Sequence, residues 1–166
     1  WRTPVTVKAV GGKASDGQDW EGVVSAAAPV TVPLAAPVVV NAGQTGYFRT
    51  VYSPDLWAKL APRFAGLTPA DQLGLLYDSR ALGESGAAPM SDFLELAANT
   101  PADADPVVLA ALSDHLAAID GLSGDRDEAR RGIGLTGLRL GPEAVVDQCE
   151  VRGIRVVGDL NPVRTP

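Results

Sequence analysis

The sequence predicts an α+β fold, a small antiparallel β-sandwich followed by antiparallel α-helical hairpins, on two observations. Up to Tyr52, apolar and polar residues alternate in short runs, and Pro or Gly interrupts each run, which is the mark of short strands. From Ser53 the apolar spacing lengthens to that of a helix, and helix start and stop residues recur. Strands first and helices afterwards give two layers or two subdomains rather than a parallel βαβ fold. The expected division is a β-sandwich over residues 1–52, the start of a helical domain over 53–122, and a tail over 123–166 that the pattern leaves open.

In chain order, Val5, Val7 and Ala9 alternate with Thr6 and Lys8 until Gly11 and Gly12 break the run. Further strands are expected from Trp20 to Ala27, Pro29 to Leu34, Pro37 to Asn41 and Thr45 to Tyr52. Pro29, Pro33 and Pro37 have no N–H to donate and so belong at strand starts or sheet edges. Gly43 and Gly46 read as the turn of a hairpin. Its second strand sets Tyr47, Arg49 and Val51 on one face and Phe48, Thr50 and Tyr52 on the other. Aromatics on both faces predict a strand covered on both sides, at a joint between the sandwich and the helices.

Ser53-Pro54 is an N-cap with proline at the first helical position, and Leu56, Trp57, Leu60 and Phe64 form one apolar stripe that Pro62 ends or kinks. Thr68-Pro69-Ala70-Asp71 repeats the start signal with an acidic residue placed as in a capping box. This second helix carries Leu73, Leu76, Tyr77 and Leu82 to about Glu84, where Ser85-Gly86 stops it. Helices are also expected from Met90 to Ala98, with Phe93, Leu94 and Ala97 inward, and from Asp105 to Ile119, with Val108, Leu112, Leu116 and Ile119 inward. Beyond Gly121 the periodicity fades, and residues 151–157 offer one lone strand candidate.

The bulk properties exclude several classes of function. A length of 166 residues suits one ordinary domain or two small ones. The formal charge of −6 is concentrated in residues 53–122, where ten Asp or Glu face three Lys or Arg. Nucleic acid, which needs a basic face, is therefore not an expected partner. The longest uncharged run, Gly22 to Phe48, is broken by three prolines and cannot form a membrane-spanning helix. A single cysteine, Cys149, rules out an internal disulfide and a multi-thiolate zinc site, and it fits a cytoplasmic location. The opening Trp1-Arg2-Thr3-Pro4, already strand-like and without Met, reads as part of something longer.

Motifs that carry chemistry are weak here. Gly132 to Gly137 match the dinucleotide pattern GxGxxG, but a charged run stands where the required strand should be. Gly11-Gly12-Lys13-Ala14-Ser15 lacks the earlier glycine and the following Ser or Thr of a P-loop and reads as a hairpin loop. His115 is the only histidine and shares a helical face with Val108, Ala111 and Ile119, as a histidine at the boundary of a core does. Cys149 has acidic neighbours, which do not activate a thiol. Gly83-Glu84-Ser85-Gly86 is not a nucleophile elbow. The carboxylates Asp71, Asp78, Asp92, Glu95, Asp103 and Asp105 read as helix N-terminal charges and solvated faces.

Three segments carry a family resemblance. Trp1 to Val7 is similar to a W-x-x-P-V/L-T entry into a β-sandwich, and Val40 to Tyr52 to N-x-G-x-x-G-Y/F-Y/F-R-V-x-Y, with Thr50 in place of valine. Leu67 to Asp78 is similar to L-x-x-x-D-R-x-x-L-L-x-D, with Gln72 in place of arginine. Together they cover about residues 1–120, and the chain resembles the aminopeptidase N family of zinc metallopeptidases in the region after the catalytic domain. The resemblance implies a parent enzyme that removes N-terminal residues from peptides, with zinc ligands, general-base glutamate and amine-gripping motif all upstream. No catalytic, cofactor-binding or metal residue carries over, since one histidine cannot make a His-Glu-x-x-His helix. The residues that do carry over form a structural joint: Asn41, Gly43, Gly46, Tyr47, Arg49, Tyr52, Asp71 and Asp78. The implied partners are the catalytic domain of the same parent protein and the parent's peptide substrates.

After about Leu122 the chain departs from the family, and the tail is expected to pack poorly. A competing reading is a free-standing β-sandwich binding or adhesion module with a helical appendage. A third is a hydrolase built on Cys149 and His115.

Overall fold

The computed structural model of the chain describes residues 2–11, 19–25, 29–32, 37–121 and 154–156. The class is α+β, with strands first and helices after, as the change of period predicts. The strands are β1 (Arg2–Ala9), β2 (Trp20–Ser25), β3 (Val30–Val32) and β4 (Val38–Val40). The helices α1 (Pro54–Leu60), α2 (Pro69–Glu84), α3 (Met90–Ala98) and α4 (Pro106–Gly121) follow, and a last strand, β5, covers Ile154–Val156.

The strands β2, β1 and β4 form an antiparallel sheet in that order. Val5 lies opposite Gly22 and Val7 opposite Val40. The period-two pattern turns Val5, Val7, Val24, Val38 and Val40 into one buried cluster with Val32, and Trp20, Val30, Phe48 and Tyr52 pack on its rim. Burying one valine contributes roughly 1.5–2 kcal/mol, before the entropy of ordering the chain is subtracted. β5, the strand candidate in the tail, is not alone: it pairs parallel with β3, Val30 beside Ile154.

One predicted strand is absent. Residues 45–52 are irregular apart from a single bridge at Arg49. The reason is local: the N–H and C=O of Gly46 are both taken by the Asn41 side chain, so neither is free for a ladder. The chain turns Phe48 and Tyr52 inward together while Tyr47 and Val51 on the other face stand 99% and 48% exposed, so the faces divide as expected but only one of them is covered. Gly43 accordingly sits in a 3-10 turn, Ala42–Gln44, rather than in a hairpin. The strand buried on both faces is the earlier β4, whose three valines are all buried and against which α1 packs.

Helix ends follow the sequence signals closely. Pro54 opens α1, though the Ser53 hydroxyl makes no capping bond, and at Pro62 the helix tightens into a 3-10 turn over Ala61–Gly66. Gly86, at φ 74°, ends α2 in a Schellman motif: Ala87 N–H donates to the Leu82 carbonyl at 2.9 Å and Gly86 N–H to that of Gly83 at 3.2 Å. Asp105 caps α4, its Oδ1 accepting the Val107 N–H at 2.9 Å.

Inward faces agree less closely. On α1 Trp57 and Leu60 are buried, as is Phe64 in the 3-10 turn after it, while Leu56 is half-buried, and on α2 Leu76 and Leu82 are buried while Leu73 is half-buried and Tyr77 half-exposed. On α3 the buried pair is Phe93 and Leu96, with Leu94 and Ala97 only half-buried. On α4 Val108, Ala111, His115 and Ile119 are buried, and Leu112 and Leu116 are half-buried. Packing divides the described residues into two compact units between Gly74 and Leu75, with β5 in the first. The GxGxxG stretch, residues 12–15, Cys149 and the packing of the tail lie outside the described residues.

Candidate functional site

Asn41, at the end of β4, is 1% exposed and adopts the left-handed backbone conformation at φ 62°, which asparagine tolerates better than most residues. Its side-chain amide pairs reciprocally with Gly46: Oδ1 accepts the Gly46 N–H at 2.8 Å and Nδ2 donates to the Gly46 carbonyl at 3.0 Å. Gln44 closes the turn, its backbone N–H donating to the Asn41 carbonyl at 2.8 Å and its side chain reaching Asn41 twice at 3.3 Å. A side chain at Gly46 would strike the Phe48 ring and stand 3.1 Å from Asn41 Oδ1, so only glycine fits there. Gly43, at φ 73°, is needed for its backbone freedom.

This turn is tied to the start of α2 by a residue 28 positions along the chain. Gly43 N–H donates to Asp71 Oδ1 at 2.7 Å, and the Thr68 hydroxyl donates to Asp71 Oδ2 at 2.7 Å. Only half of the predicted capping box forms: Asp71 N–H donates to Thr68 Oγ1 at 3.3 Å, and the carboxylate is taken by the Thr68 hydroxyl and the Asn41 turn. Next to it, Gln72 is buried and donates through Nε2 to the Phe64 carbonyl at 2.9 Å, satisfying the end of the preceding 3-10 turn. The Gln44 amide lies over Gly74 of α2, where a side chain would displace it.

Four of the eight expected joint residues, Asn41, Gly43, Gly46 and Asp71, thus form one hydrogen-bonded network. Tyr52 supports it from the side, since its Oη accepts the Val40 N–H at 2.9 Å and its ring stands 6.1 Å from that of Trp57. Arg49 is half-buried at its bridge, Tyr47 is exposed, and Asp78 is half-buried on α2 in the second unit. Sequence reading missed Gln44, for which no signal exists, and saw in Thr68 only a helix cap. Beside the network, Lys8, Gly11, Val39, Leu67, Thr68 and Asp71 help line a cleft of about 230 Å³. That is below the roughly 300–1,000 Å³ of ligand pockets, and both Asp71 oxygens are already engaged.

The second unit buries His115, 5% exposed, among three helices. Arg80 Nη1 stands 2.6 Å from His115 Nδ1, and the Tyr77 and Phe93 rings meet the imidazole edge to face at centroid distances of 4.6 and 5.9 Å. Burial first, then the Arg80 guanidinium, hold its pKa below the ordinary histidine value, while Glu84 and Asp114 pull it up. Among the described residues no group of three or more His, Cys, Asp or Glu is placed to hold a metal ion, and no helix is long and apolar enough to cross a membrane.

With the strand-to-helix passage and its network in place, comparison with known proteins defines the class. Residues 37–140 match the ERAP1-like C-terminal domain family, from β4 through the whole network and α4, and the chain belongs to that family. It is 40% identical over 60 residues to the alanine/arginine aminopeptidase of Saccharomyces cerevisiae, a stretch covering 36% of this chain and 7% of that protein. It is 29% identical over 119 residues to the puromycin-sensitive aminopeptidase of Caenorhabditis elegans, covering 69% of this chain and 12% of that one. The chain therefore corresponds to a small part of the length of these relatives, and the aminopeptidase N resemblance holds.

Proposed function

We propose that this chain is the non-catalytic C-terminal part of a zinc-dependent aminopeptidase that removes N-terminal residues from peptides, and that it supports the catalytic domain and caps its cavity. The match of residues 37–140 to the ERAP1-like C-terminal domain carries this reading. In it the three-stranded sheet belongs to the small sandwich, and α2 to α4 supply the first antiparallel hairpins of the cap. The Asn41–Asp71 network has the properties such a joint needs: it fastens the first turn of α2 to the end of β4 through fully bonded, buried polar groups. Zinc and the peptide-gripping residues belong to a separate catalytic part, which is the partner this chain serves. A cytoplasmic location goes with the reading, because a chain with one cysteine gains nothing from an oxidising compartment.

Reading the genomic sequence upstream of the Trp1 codon tests the proposal. An in-frame His-Glu-x-x-His motif a few hundred residues earlier is the expected result. A native start beside Trp1 with no such motif would overturn it and leave the free-standing binding module as the better account.

A further inference from the structure

His115 is the only histidine in the sequence, and α2, α3 and α4 all reach it. Arginine has donors and no acceptor, so the 2.6 Å contact requires a lone pair on His115 Nδ1 and places the ring proton of the neutral imidazole on Nε2. That Nε2 is buried with no hydrogen-bond partner among the described residues. A second proton can enter only at Nδ1, where it meets the guanidinium. The hydrogen bond is then replaced by two donors of like charge in contact, and Nε2 has no acceptor to stabilise the cation.

We propose that His115 is a proton-operated latch: neutral, it ties α4 to α2 through Arg80, and protonated on Nδ1 it breaks that tie and loosens α4 from its neighbours. The step takes one proton from solvent and breaks one hydrogen bond, with no covalent change. The charged and titratable groups around it are Tyr77, Arg80 and Glu84 on α2 and Asp114 on α4, while α3 presents the uncharged Phe93. Glu84, held by Arg80 at 2.8 Å, and Asp114 favour the imidazolium, but burial and Arg80 outweigh them. A histidine whose folded pKa is lowered contributes full stability above the unfolded value of 6.5, and that stability is lost as pH falls through the folded value. Asp92 on α3, whose pKa is raised by burial and by Glu95, acts in the opposite sense, since its raised value favours folding as pH falls.

Two measurements on the full chain test the latch. The imidazole proton resonances come from a single residue, so an NMR titration gives the His115 midpoint directly, and it is expected below 6.5. Hydrogen exchange of α4, corrected for intrinsic rates, is expected to show an opening constant that rises by up to about tenfold per pH unit between 6.5 and that midpoint and levels off below it. His115→Asn, whose Oδ1 stands at the depth of the imidazole Nδ1 and can accept from Arg80 without titrating, should lose this rise. A midpoint at or above 6.5, or the same rise in the variant, would overturn the proposal. Should the variant fail to fold, the wild-type protein decides: an α4 opening constant that stays flat as His115 takes up its proton overturns the latch.

Discussion

Asn41 and His115 are both buried polar side chains, at 1% and 5% exposure, and the two units accommodate them differently. Asn41 has both ends of its amide bonded inside a turn of six residues, to backbone groups that never titrate. His115 has one ring nitrogen held by a side chain 35 positions away and the other unpartnered, and its single bond exists in only one protonation state. The first arrangement locks a backbone path under all ordinary conditions. The second holds helices together conditionally. A buried polar group is therefore a fixed fastening or a switch according to whether the group itself titrates and its bond needs one protonation state.

That contrast can be broken by experiment, because the chain separates the readouts: Trp20 and Trp57 lie in the first unit, and the one histidine lies in the second. The largest effect is expected from Asn41→Ala, which leaves the half-buried Gly46 N–H and C=O without their side-chain partners and puts alanine in a left-handed conformation. It should cost the first unit about 3 kcal/mol in urea denaturation followed by tryptophan fluorescence, while the His115 titration is unchanged. A loss under about 1 kcal/mol would mean that water replaces the amide and the turn is not locked. Asp71→Ala comes next at about 2 kcal/mol, since it removes two hydrogen bonds to a carboxylate but leaves a shorter side chain that does not clash. An equal loss in the histidine-reporting unit would deny the separation drawn above. Tyr47→Ala should change stability by less than about 0.5 kcal/mol, because the side chain is 99% exposed. A larger loss would assign Tyr47 a role in the turn itself.

Much of the helical region was legible in the sequence. Ser53-Pro54, Thr68-Pro69, Ser85-Gly86 and Asp105 are local chemistry, and local chemistry decides where helices start and stop. The choice of inward residues was less legible: on a helix as short as α3, packing partners select the face, and they chose Leu96 over Leu94 and Ala97. The false strand at 45–52 has a related cause. Alternation of residue type records what a strand would bury, but it does not record that Asn41 had already taken the backbone groups of Gly46. The bond from Gly43 to Asp71 lay equally out of reach, because nothing in a capping-box pattern says whether its carboxylate will look back to its own helix or outward.

Gln44 lying over Gly74 has a consequence for how this chain can drift. A methyl group at 74 would push the Gln44 amide aside and with it both 3.3 Å bonds to Asn41. Alanine at 74 is therefore open to the chain at the loss of those two bonds alone: the exposed Gln44 side chain swings aside, and residue 74 sets how firmly the Asn41 turn is braced against α2.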